Sequence, residues 1–355
     1  MSIILFIAVL AILILAHEFG HFIVAKKSGM RVDEFGIGFP PRLLKFRRGE
    51  TLYSINLIPF GGFVKIHGED GSTSSPQGEM DPRSFASKSI LIRIAVIAAG
   101  VIFNVIFAWL IISASYMIGT PTSISSAPTG SQIRDKNTTI IGVQANSPAE
   151  LAGLKAGDKI IDFKSLDDFL DFINHNKGQE IAFNYQRGSD IFSTVITPRI
   201  DPPENQGPLG VIIDEVGIVT LPWYLAFWEG IKTTYSLIIV ISVSIFYFIL
   251  DAFKGLAGFD QIIGPVGIVT MTGAAAKLGL AYVLNFMAIL SINLAIINII
   301  PFPALDGGRI LFLIIEKIKG SPISPKISGI VHGIGLAILL ILMLTITYKD
   351  ILRLI

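Results

Sequence analysis

Residues 90–118, ILIRIAVIAAGVIFNVIFAWLIISASYMI, form an apolar run broken by one charge, Arg93. About twenty such residues are enough for a helix to cross the hydrocarbon of a bilayer. Comparable runs open the chain and recur at about 233–250, 284–300 and 327–347. With 52% hydrophobic and 15% charged residues over 355 positions, and a mean hydropathy of +0.66, the chain cannot be an ordinary soluble domain. A net charge of +1 argues against nucleic acid as a partner, and the absence of cysteine excludes a disulfide framework or a thiolate-bound metal.

Charge sets the expected orientation. The first run has no basic segment before it and no small-residue cleavage site after it, so it reads as a retained transmembrane helix. The cluster Lys26, Lys27, Arg31, Arg42, Lys45, Arg47 and Arg48 that follows is held in the cytoplasm, which places the amino terminus outside. The second run then returns outward. Residues 119–215 change character, with an acidic excess, short alternating runs and Gly-Asp turns, and predict a small folded α+β domain on the outer side. Lys317, Lys319 and Lys326 put the connection between the last two runs inside. An even number of crossings must therefore lie between the outer domain and residue 284. We expect residues 216–283 to be a membrane-associated connecting segment, because GPVGIVTMTGAAAKLG is a poor helix by propensity and contains Lys277. The sum is a mainly α-helical polytopic membrane protein of about four transmembrane helices, with 1–118 and 284–355 as its two membrane parts.

Ionisable groups in hydrocarbon are costly and usually mark a functional site. The first run carries three, in LILAHEFGHFIVAKK: His17, Glu18 and His21. Positions four apart share a helix face, so both histidines can offer a ring nitrogen to one zinc ion while Glu18 stands beside it to take a proton from water. A catalytic zinc site needs a third protein ligand. His67 follows the first span in a loop, His175 falls in the outer domain, and His332 has no polar company in sequence. Asp306, in NIIPFPALDGGRILF, is the better candidate, although an aspartate before two glycines can equally serve as a turn or cap. Depth favours it. A helix from Ile3 to His17 descends about 21 Å and one from Asn285 to Ile300 about 23 Å, so the sites reach one level from the outer face. Asn298 and Asn104 are polar at membrane depth and suit either helix packing or a substrate-facing role.

AHEFGHFIVAKKSGMRVDEFGIGFP, YSINLIPFGGFVKI, AAGVIFNVIFA, GPVGI and INLAIINIIPFPALDGGRILF together resemble the site-2 protease family of intramembrane zinc proteases, in its bacterial regulator of sigma-E branch. The resemblance implies one zinc ion per chain on His17, His21 and Asp306, Glu18 as catalytic acid and base, and Asn298 as a residue holding substrate. It further implies regulated cleavage of single-span membrane proteins, such as anti-sigma factors or remnant signal peptides, within the bacterial cytoplasmic membrane. The stretch 51–66 predicts a membrane-associated β-hairpin strand to which an unwound substrate could add, with Asn104, Gly61 and Gly62 on the substrate side. TTIIGVQANSPAELAGLKAGDKIIDF resembles a PDZ domain, with Ile141, Gly142 and Val143 as the loop receiving a peptide carboxyl terminus. The chain departs from the better-known enterobacterial pattern in having room for one such domain, and in Pro40 and Val101. A membrane-anchored PDZ adaptor or a metal transporter are the competing classes; the intact His-Glu-His set with Asp306 disfavours the first, and polar residues confined to one depth disfavour the second.

Overall fold

The computed structural model describes residues 2–69, 81–188, 190–203, 206–255 and 262–353. In chain order the elements are α1 (Ser2–Lys27), β1 (Val32–Arg48), β2 (Thr51–Ile66), α2 (Ile90–Ile118), β3 (Thr120–Ser123), β4 (Gln132–Val143), α3 (Pro148–Leu151), β5 (Lys159–Ile160), α4 (Leu166–His175), β6 (Ile181–Arg187), β7 (Asp190–Ile196), β8 (Val211–Thr220), α5 (Trp223–Phe253), α6 (Pro265–Leu278), α7 (Leu280–Ile299), α8 (Asp306–Lys319) and α9 (Pro325–Leu352). The chain forms two compact units, one of Met1–Ile112, Gly230–Ala276 and Val283–Ile355, the other of Ser113–Glu229 and Lys277–Tyr282.

The first unit is helical. Among the described residues five helices, α1, α2, α5, α7 and α9, are long and apolar enough to cross a membrane, where about four crossings were expected. The difference is α5, whose helix starts ten residues before the apolar run at 233 because the sequence around Trp223 and Trp228 continues the helix without a breaker. Helix α1 ends in a Schellman turn: Gly29 takes a φ of +70°, and Met30 N–H reaches the Ala25 carbonyl at 3.0 Å. The chain then enters the antiparallel β1–β2 hairpin, whose base joins a core of Ala25, Met30, Val32, Ile66, Phe85, Val96, Ile97 and Leu313. Away from that core the hairpin exposes Phe39, Leu43, Leu44, Phe46, Leu57 and Ile58 beside Lys45, Arg47 and Arg48, an apolar and basic surface suited to a membrane interface.

Gly-rich α6 forms despite its poor propensity because a distant residue caps it. The buried Asp350 carboxylate on α9 accepts from Gly267 N–H at 2.8 Å and Gly264 N–H at 3.3 Å, serving the orphan donors at the helix start. Helix α7 stops at Ile299. Pro301 and Pro303 cannot continue it, Ala304 adopts a φ of 78°, and α8 begins at Asp306 and ends on Gly320 in the left-handed conformation.

The second unit contains a six-stranded antiparallel sheet in the order β3-β8-β4-β5-β6-β7, with α3 and α4 packed over a core that includes Ile140, Leu154, Phe169, Phe183, Tyr185 and Leu209. Ser147 and Ser165 cap the two helices by accepting from Glu150 N–H and Asp168 N–H. Arg187 grips the buried Asp158 carboxylate through two contacts of 2.7 Å. Ile141, Gly142 and Val143 do not form a loop. They are the end of β4, where Gly142 faces Ile212 and Val143 faces Val211 across the β8 ladder.

Candidate metal centre

Helix α1 presents His17, Glu18 and His21 on adjoining faces, and two other elements meet it. Helix α2 crosses close because both helices carry glycine at the contact. A Cβ on Gly20 would strike the Ala99 carbonyl, and one on Gly100 would strike the His21 ring and lie 2.7 Å from His17 Cε1. The turn from α7 into α8 delivers Asp306. That turn is tight enough that a Cβ on Gly307 would meet the carbonyls of Ile299 and Ile300, and one on Gly308 the carbonyl of Phe302, which explains two glycines directly after the aspartate.

Three atoms converge. His17 Nε2 lies 3.0 Å from Asp306 Oδ2, His21 Nε2 lies 3.4 Å from the same oxygen, and the two ring nitrogens are 3.2 Å apart. His21 Nδ1 donates to the Val96 carbonyl at 2.8 Å; a carbonyl only accepts, so in the neutral ring Nε2 carries the lone pair. Asp306 Oδ2 is buried and makes no hydrogen bond. Electron-rich atoms so close repel one another unless a cation lies among them. Nitrogen and oxygen ligands about 2.0–2.1 Å from a tetrahedral zinc ion stand about 3.3 Å apart, so the donor set and its spacing fit zinc and leave a fourth position for water.

A cavity of about 210 Å³ surrounds this cluster, lined among others by Glu18, Gly62, Glu69 and Arg309. Gly62 sits against Glu18, a Cβ there falling 3.2 Å from Glu18 Cγ, so the hairpin strand β2 passes directly beside the expected acid–base group. Gly61 lies farther along, under Phe39, with a φ of +118°. Arg309 pairs with Glu69, tying α8 to the segment after β2. Arg93 of α2 holds Glu316 of α8 through contacts of 2.7 and 3.3 Å, fixing the helix that begins with Asp306. The His332 ring, which the sequence left without company, accepts from Ala304 N–H at 3.1 Å and supports the strained residue two before Asp306.

Asn104 is fully buried against His17, 3.1 Å from its Nδ1, and does not line the cavity. Asn298 is half-buried at the end of α7 and is likewise not among the lining residues. His67 sits between Asp33 and Asp81, and His175 bonds the Asp171 carbonyl; neither is among the converging His17, His21 and Asp306. Sequence reasoning missed Arg309 and Glu69. Arg309 stands one helical turn after Asp306, and that spacing was the available signal.

A polytopic helical membrane protein whose helices bring two histidines, an aspartate and a glutamate to one polar cavity belongs to the class of intramembrane zinc metalloproteases of the site-2 type. The profile described as "Peptidase family M50" matches residues 5–342, and the chain belongs to that family. Among its relatives are a candidate zinc metalloprotease of Clostridium perfringens, 35% identical with 96% of this chain and 95% of the relative covered, and one of Clostridium acetobutylicum, 32% identical with 97% and 96% covered. The Regulator of sigma-W protease RasP of Bacillus subtilis is 30% identical, with 99% of each chain covered.

Proposed function

We propose that this chain is an endopeptidase that hydrolyses a peptide bond within the transmembrane segment of single-span proteins, near the cytoplasmic side of a bacterial cytoplasmic membrane. The observation that carries the reading is the convergence of His17, His21 and Asp306 within one cavity that Glu18 also lines. His17, His21 and Asp306 would hold one zinc ion, which when bound supplies Lewis acidity that polarises a carbonyl and makes water more acidic. Glu18 takes the proton of the attacking water and later gives it to the leaving amine. Arg309, paired with Glu69, supplies positive charge to a cavity otherwise lined by Glu18, Glu69 and Asp306.

A helical substrate hides its carbonyls in hydrogen bonds and must unwind before attack. Strand β2 beside Glu18 offers a template for the unwound segment, and Asn298 at the end of α7 helps hold it. The sheet unit acts as a PDZ-type module on the outer side. Its peptide edge is then β8 at Val211–Glu215, because β3 pairs only with Val216–Val219 and Ile141 to Val143 are engaged in β4. Anti-sigma factors and remnant signal peptides are the proposed substrates, in keeping with the sigma-W name of the Bacillus relative.

Cleavage of a single-span model substrate by purified protein, with zinc assayed in parallel, tests the reading. Wild type should cut, and Glu18→Gln should bind zinc but lose at least about 100-fold in rate, the lower range for general acid–base catalysis. Unimpaired cleavage by Glu18→Gln, or no zinc in wild type, would overturn it.

A further inference from the structure

His17 faces Asp306 and His21 through Nε2, so a ring that ligates a metal there carries its hydrogen on Nδ1. That N–H points at the side-chain amide of Asn104, 3.1 Å away at the amide nitrogen, among residues sealed from solvent. Two donors cannot bond each other. Asn104 Oδ1, the acceptor this N–H requires, is buried and without a partner. Rotating the amide by half a turn exchanges its two ends within the same volume.

We propose that Asn104 is a positioning residue for the metal centre, its Oδ1 accepting from His17 Nδ1–H and fixing the ring so that Nε2 faces the metal. The inference rests on the zinc reading of the site. It gives the two histidines matching supports on one helix, since His21 Nδ1 already donates to the Val96 carbonyl of α2. Asn104 is itself held, because the fully buried Ser291 of α7 donates to its main-chain carbonyl at 2.8 Å. The helices α1, α2 and α7 thus meet in the chain His17, Asn104, Ser291. An acceptor on the far nitrogen of a ligating histidine sets its tautomer and raises its basicity, and removing one typically weakens metal binding about 10–100-fold.

The test is the zinc dissociation constant of the full-length protein in detergent, read by competition with a chromogenic chelator. Asn104→Leu, of similar size, should weaken binding by about 10–100-fold. Asn104→Asp, which can accept but not donate in its ionised form, should bind zinc as tightly as wild type or more tightly. Wild-type affinity in Asn104→Leu, or equal weakening in Asn104→Asp and Asn104→Leu, would overturn the proposal. If Asn104→Leu does not fold, Asn104→Asp decides alone, with retained affinity supporting the proposal and lost affinity overturning it. Wild-type protein that binds no zinc overturns the metal reading itself, a different result from wild type and Asn104→Leu binding alike.

Discussion

Gly100 has no side chain where the rings of His17 and His21 occupy the space one would need. A methyl group there would press on His21 Nε2 and His17 Cε1, and neither ring can yield without leaving its partner, Val96 or Asn104. Gly100→Ala should therefore weaken zinc binding by about 100-fold or more, at least the loss expected when a supporting contact is removed. Gly329→Ala in α9, where nothing lies within 4 Å, should leave zinc binding unchanged. Measuring both affinities separates a local clash from a general effect of replacing glycine in a helix. A Gly100→Ala protein with wild-type affinity would mean that α2 can move away from the ligands.

Among the elements, the hairpin and α6 each depend on a buried acid. Burial works against ionisation of Glu34, but the Arg42 fork, at 2.6 and 3.0 Å, and the Ser54 hydroxyl at 2.7 Å outweigh it and hold the carboxylate below its ordinary 4.5. A folded-state value below the unfolded one adds stability above about pH 4.5 and loses it as pH falls through the folded value. Limited proteolysis of the hairpin should show cutting rising below that pH, and Glu34→Gln should remove the dependence while raising the cutting seen at neutral pH. Asp350→Ala should cost about 1–3 kcal/mol by leaving Gly264 and Gly267 N–H without an acceptor, read as a lower unfolding temperature in detergent. These two acids also mark where the sequence stopped being legible. The membrane runs, the hairpin and the His17, Glu18, His21 spacing lie within single windows of the chain, and Asp306 could be found by depth. Helix α6 could not, because its cap comes from 83 residues away, and propensity sees only neighbours. The end of strand β4, Ile141 to Val143, was expected as a loop because the partner that extends the strand, β8, follows some seventy residues later.

At the scale of the molecule, the metal centre fixes the direction of α7. His17 and His21 lie in the carboxyl-terminal half of α1, and Asp306 follows the carboxyl-terminal end of α7, yet their ligand atoms are 3.0–3.4 Å apart. The two helices must then cross the membrane in the same sense. On the proposed orientation, with the metal centre toward the cytoplasm, α7 also runs inward and starts on the outer side. Helices α5 and α6 between them must make no net crossing. A single passage of α5 would require α6 to return, but its 14 residues extend about 21 Å, short of the roughly 30 Å of hydrocarbon. On that orientation we expect helix α5, apolar as it is, to re-emerge on the side it left or to lie in the outer leaflet. The chain lacks cysteine, so one introduced thiol reports alone. In intact cells a membrane-impermeant maleimide should label Lys164→Cys in the sheet unit and Lys254→Cys beyond α5, but Lys319→Cys only after permeabilisation. Labelling of Lys254→Cys only with Lys319→Cys would place α5 across the bilayer, and the shared direction of α1 and α7 would then need a second return among residues 255–279.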